Sequence, residues 1–155
     1  MFQNAIAPVS DTKLASANRL GIVAVHLVEI VSPAATRGGL APWQVRRVTS
    51  YIDEHLASTI RLQDLARIAR LSHSHFCRAF KESIGHPAHA YVMRRRVQQA
   101  QGLMLTTAES LSQIAAQCGM ADQAHFCKLF RRLVGESPNA WRRARRLPAP
   151  APAPA

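Results

Sequence analysis

Ser72–Gly85 reads SHSHFCRAFKESIG, and Asp122–Gly135 reads DQAHFCKLFRRLVG. Phe76, Cys77, Phe80, Gly85 and Tyr91 recur 50 positions later as Phe126, Cys127, Phe130, Gly135 and Trp141. Upstream, LQDLARIARLS (Leu62–Ser72) pairs with LSQIAAQCGMA (Leu111–Ala121) at an offset of 49, so the second copy carries one added residue in its turn. A chain that repeats itself at this period builds one supersecondary unit twice.

Each unit reads as two short helices joined by a tight turn. In the first, Leu62 to Ala69 is a short helix with Leu62, Leu65, Ala66 and Ala69 inward. A turn at Arg70-Leu71 leads to Ser72, a natural N-cap, and a helix to about Ile84 that Gly85 closes in the left-handed region. The second opens with a Ser110-x-x-Gln113 capping box, turns at Cys118-Gly119-Met120 and runs again from about Asp122 to Val134. Between them, Ala88 to Thr106 predicts one longer helix of about 28 Å, with Arg94 and Arg95 outward. Before the first unit, Pro42 suits the first position of a helix whose apolar side is Trp43, Val45, Val48, Ile52 and Leu56. After the second, Ser137-Pro138 starts a last helix to about Arg146. The expected fold is all-α: two helix-turn-helix subdomains joined by a long linker helix, about seven helices, homeodomain-like, plus an extra N-terminal helix.

The flanks differ in kind. Residues 1–42 hold an apolar stripe from Leu14 to Ile30, expected to pack on the domain behind it or on a second copy through residues 11–31. Its most apolar run, Leu20–Val31, contains His26 and Glu29 and is about 12 residues long, against the roughly 20 of a membrane span. No secretory signal pattern opens the chain. Residues 147–155, LPAPAPAPA, offer nothing to a core and read as an extended tail. The duplicated domain is therefore placed at 43–146, with helix-turn-helix units at about 62–85 and 111–135 and the linker at about 88–106.

Charge indicates the partner. The 155 residues hold 20 Lys and Arg against 9 Asp and Glu, a net of +11 and a pI near 11.2, of which +10 lies after Pro42. That balance favours a polyanion, nucleic acid ahead of membrane. Three cysteines make no disulfide framework and suit a reducing cytoplasm.

Helical steps of 100° divide each second helix into two faces. Phe76, Phe80 and Ser83-Ile84 fall inward, as do Phe126, Phe130 and Leu133-Val134 in the copy. Ser74, Arg78 and Lys81 fall outward with His75, Cys77 and Glu82 at the edges; the copy presents Ala124, Lys128 and Arg131, flanked by Gln123, His125, Cys127 and Arg132. Small or polar residues at the helix start followed by cations suit entry into a major groove, N-terminus first. One such face alone is an ordinary solvated helix surface; two in matched frames favour DNA. A metal site on His73-x-His75-x-Cys77 is disfavoured, since only His73 and Cys77 share a side. A cysteine nucleophile would need a third orienting group and a pocket that nothing here supplies. Neither a cofactor nor catalysis is expected.

These residues resemble the DNA-binding domain of AraC/XylS-type transcription regulators. The resemblance covers about Val45 to Arg146 and is most specific in IAAQCGMADQAHFCKLFRRLVGESPNAW. It shows in the turn glycine, Gln-x-His-Phe opening the helix, Phe four later, and Gly-x-x-Pro-x-x-aromatic. SHFCRAFK and Tyr91…Arg96-Val97…Ala100…Leu103-Met104 also fit. The resemblance implies double-stranded DNA as ligand, with Ser74, His75, Cys77, Arg78, Gln123, Ala124, His125, Cys127 and Lys128 at base-reading positions. It makes Arg96 a buried bridge between the halves. A cytoplasmic transcription regulator is expected, with RNA polymerase as a further candidate partner; activator and repressor stay open alternatives. The chain departs at Ala88, where the family has proline, and at Arg70, where the second unit has Gly119. Only 42 residues precede Trp43, too few for an effector-binding barrel, so a stand-alone or shortened regulator is expected.

Overall fold

The computed structural model of the protein describes residues 38–145. Seven helices and no strand occur among the described residues: α1 (Pro42–Glu54), α2 (Leu62–Ile68), α3 (His73–Ile84), α4 (Ala88–Thr106), α5 (Leu111–Gln117), α6 (Gln123–Val134) and α7 (Pro138–Arg145). The all-α, two-headed architecture read from the repeat is the one observed. The helix expected over 11–31 and the tail 147–155 lie outside the described residues.

Both heads have the same turn. The N–H of Leu71 bonds the carbonyl of Ala66 and that of Arg70 bonds Arg67, just as Met120 bonds Ala115 and Gly119 bonds Ala116. This is a helix ending with one left-handed residue, Arg70 at φ 56° and Gly119 at φ 67°. The extra residue of the second copy is thus Ala121, placed after the turn and before the cap. Ser72 Oγ then accepts the N–H of His75 at 3.4 Å, and Asp122 Oδ1 that of His125 at 2.7 Å. Gly85 and Gly135 close α3 and α6 with φ of 80° and 92°.

The heads also share an aromatic ladder. Phe76 and Phe80 pack tilted at 5.5 Å, and Phe80 meets Tyr91 edge to face at 5.6 Å; Phe126, Phe130 and Trp141 repeat the ladder edge to face at 5.6 and 5.9 Å. All four phenylalanines are fully buried. Each such ring removes enough apolar surface from water to contribute about 1.5–3 kcal/mol. Helix α4 serves both cores: Ala88, Tyr91 and Val92 are buried near its start, while Val97, Ala100 and Met104 join the second-head cluster with Ile114, Cys118 and Leu129. On the other side, α1 is tied down by Gln44, whose Nε2 donates to Ala69 O at 2.6 Å.

Three expected inward positions behave differently. Trp43 is 43% exposed, with the Arg70 guanidinium 5.9 Å from its ring centroid. Leu133 is 37% exposed although it lies on the Phe126–Phe130 side of α6. At the matching position of α3, Ser83 accepts the Leu40 N–H at 2.7 Å, so the chain entering α1 closes that end of the first head. Leu62 is only half-buried.

Candidate nucleic-acid interface

The outward residues of α3 and α6 come to lie as two equivalent rows. Ser74, His75, Arg78 and Lys81 are exposed on α3; Gln123, Ala124, His125, Lys128 and Arg131 are exposed on α6, as are Glu82 and Arg132. The cap side chains satisfy the backbone N–H groups of His75 and His125 at the start of each helix. Lys81, Arg131 and Arg132 sit in the last turns, where cations also complement the helix dipole.

Cys77 and Cys127 are half-buried at the shoulder between faces. Cys77 Sγ lies 3.8 Å from His73 Nε2, the one pair of that stretch sharing a side. Cys127 packs against the second-head core. Both cysteines are thus less exposed than Arg78 and Lys128, the cations that follow them. Among the described residues no group of three His, Cys, Asp or Glu is placed to hold a metal ion.

The Arg94-Arg95-Arg96 run divides three ways. Arg94 is exposed. Arg95, expected outward, instead donates Nε–H to Asp53 at 2.8 Å, with its side chain only 16% exposed. Arg96 is buried at 8%, its Nε donating to Leu56 O at 3.0 Å and its Nη2 to Ser58 O at 2.7 Å. Burial pulls its pKa below the usual arginine value, opposed by the neighbouring Cys118. Two well-made bonds to carbonyls let a guanidinium stay inside. Sequence spacing could not have shown that Arg95 has a partner 42 residues away.

The two repeated heads, each with a capped, cation-bearing helix exposed beside an aromatic core, define a two-unit helix-turn-helix DNA-binding domain. The helix-turn-helix domain family matches residues 65–144, just over half of the chain. The chain belongs to the AraC-type helix-turn-helix regulators. It is 37% identical over 77 residues to the probable transcriptional regulator LumQ of Photobacterium leiognathi, covering 50% of this chain and 31% of LumQ. It is 33% identical over 100 residues to the regulatory protein PocR of Salmonella typhimurium, covering 64% of this chain and 33% of PocR. The chain thus spans about a third of the length of these curated relatives. Among solved structures, the DNA-binding domain of the global transcriptional factor AdpA, crystallised with a target DNA, superposes with a TM-score of 0.62 at 32% identity. That match covers 65% of this chain and 91% of the AdpA domain. The C-terminal domain of AraT, a response regulator from Geobacillus stearothermophilus, gives 0.64 at 29%, covering 70% of this chain and 89% of that one. No described helix is long and apolar enough to cross a membrane.

Proposed function

We propose that this chain is a sequence-specific, DNA-binding transcription regulator that places α3 and α6 into successive major grooves on one face of a duplex. One observation carries the reading: two exposed helix faces of matched frame stand on a single shared helix. At about 28 Å, α4 plus the helix ends approaches the ~34 Å between successive grooves. The reading assigns base contacts to Ser74, His75, Cys77, Arg78, Gln123, Ala124, His125, Cys127 and Lys128. Lys81 and Arg131, one turn further along, reach phosphate. The target-DNA complex of the similar AdpA domain supports the same ligand for this chain.

Residues 43–146 form the DNA-binding domain in this proposal, 1–42 a packing or homodimerisation element and 147–155 a tail. In this proposal the chain acts on DNA in the cytoplasm, with RNA polymerase as a candidate partner and with no catalytic step and no cofactor. Because the two heads present different residues, the DNA site is asymmetric.

The test is affinity on a selected site and on scrambled duplexes across a salt series. Gln123→Ala or His125→Ala should cost about 1–3 kcal/mol per lost base contact on the selected site only. Log affinity should fall steeply with log salt. The net charge of +11 favours one other reading, an architectural binder touching phosphate alone. Equal weakening on all sequences would decide for that binder.

A further inference from the structure

Gly119 and Arg70 hold the same place in the two heads and the same left-handed conformation, at φ 67° and 56°. An arginine manages that conformation in the first head, so backbone geometry alone does not demand glycine in the second. Space does. A Cβ on Gly119 would collide with the carbonyl oxygen of Leu56, stand 2.9 Å from Arg96 Nη2 and 3.1 Å from the carbonyl carbon of Ala57. The other described glycines of positive φ, Gly38, Gly85 and Gly135, have nothing within 4 Å of that position.

Leu56 and Ala57 belong to the chain leaving α1, in the first head; Gly119 is the turn of the second. Arg96 lies at this junction, bonding the Leu56 and Ser58 carbonyls from α4. The contact therefore joins one head to the other directly, backbone against backbone, beside a buried guanidinium. Helix α6 begins four residues after Gly119, so any withdrawal of the turn displaces α6 relative to α3. The resemblance makes Arg96 a bridge between the halves: its hydrogen bonds run to Leu56 and Ser58 of the first head, and the same guanidinium lies against the second turn, where a Cβ on Gly119 would stand 2.9 Å from Nη2.

We infer that Gly119 is a positioning residue that sets the offset between the two reading helices, and thereby the spacing of half-sites this protein accepts on DNA. The inference rests on the proposed two-headed reading of DNA and adds what makes that reading selective for spacing. Two heads held rigidly bind as one ligand, and a mismatch between their offset and the spacing of the half-sites forfeits the second engagement.

The experiment uses the full chain on a selected site, on the same site with one base pair inserted or deleted between half-sites, with five inserted, and on each half-site alone. Gly119→Ala is expected to lose at least about tenfold on the parent site and to shift or flatten the spacing profile, with half-site affinity held within about twofold. Gly85→Ala is the control: it puts the same side chain at φ 80° into open space and should keep the wild-type optimum. A Gly119→Ala profile that keeps its optimum, whether unchanged or lowered equally throughout, overturns the inference alone. Wild-type binding indifferent to five inserted base pairs overturns the two-headed reading and this inference with it. Should Gly119→Ala fail to fold, Arg96→Lys removes the paired donor arms without adding a Cβ. It should broaden the profile, and an unbroadened one overturns the lock.

Discussion

Arg95 of α4 and Asp53 of α1 form an ion pair of 2.8 Å across 42 residues of chain. The pair ties the linker helix to the outermost helix of the first head. It also takes one cation of a run of three out of the set free to meet DNA. Asp53 and Arg95 both act on Tyr91, whose phenol burial pushes up, with Arg95 lowering it and Asp53 raising it.

The run should therefore respond residue by residue. Arg95→Gln is expected to lower stability by up to about 1 kcal/mol, as a partly exposed pair does, and to leave the salt slope of DNA binding unchanged. Arg94→Gln should leave denaturant midpoints unchanged and reduce that slope by about one. Urea titration and binding at several salt concentrations check both; an Arg95→Gln slope change would show that the pair opens on DNA.

The left-handed turn of the first head stores strain that its counterpart avoids. A non-glycine residue there costs roughly 1–2 kcal/mol, while glycine loses about 0.5–1 kcal/mol of chain entropy on folding and would drop the contact with Trp43. These offsets nearly cancel, so Arg70→Gly should change stability by less than about 1 kcal/mol. Arg70→Val should destabilise by more than that, because β-branched residues tolerate positive φ least. Thermal melts of the two variants separate the cases.

Cys118 is fully buried beside Arg96, and burial pushes its thiol from 9.0 up to about 11, against the lowering effect of the guanidinium. The folded state thus keeps this proton at a pH where the unfolded chain has released it. The resulting stabilisation is complete below about pH 9 and is lost as pH rises toward 11, on the order of 2 kcal/mol in all. Stability curves of wild type and Cys118→Ala at pH 8 and pH 10.5 should converge at the higher value. A thiol reagent at neutral pH should modify Cys77 and Cys127 and reach Cys118 only on unfolding.

Much of the fold was legible without coordinates because its determinants are local. Paired phenylalanines four apart, a serine or aspartate ahead of them and a glycine after them delimit a helix by short-range hydrogen bonding and periodicity. The same arithmetic sorted Ser74, Arg78, Lys81 and their counterparts Ala124, Lys128 and Arg131 to the outside, where they lie. It failed where a residue's fate depends on what another element brings. Leu133 sits at the proper angle for burial, yet stands 37% exposed at the end of α6.

What the sequence by itself determined is the repeat, the two turns, the inner and outer faces and the sign of the partner's charge. These follow from neighbours within a few residues and from composition. The tertiary structure alone decided that Arg95 leaves the exposed set to pair with Asp53 and that Trp43 faces solvent. It alone decided that Gly119 lies against the carbonyl of Leu56, 63 residues earlier. Each of these depends on how α1, α4 and the second turn cross one another, and no local pattern encodes a crossing. The two copies share one secondary structure, but at the second turn the glycine lies where the chain leaving α1 would meet a Cβ.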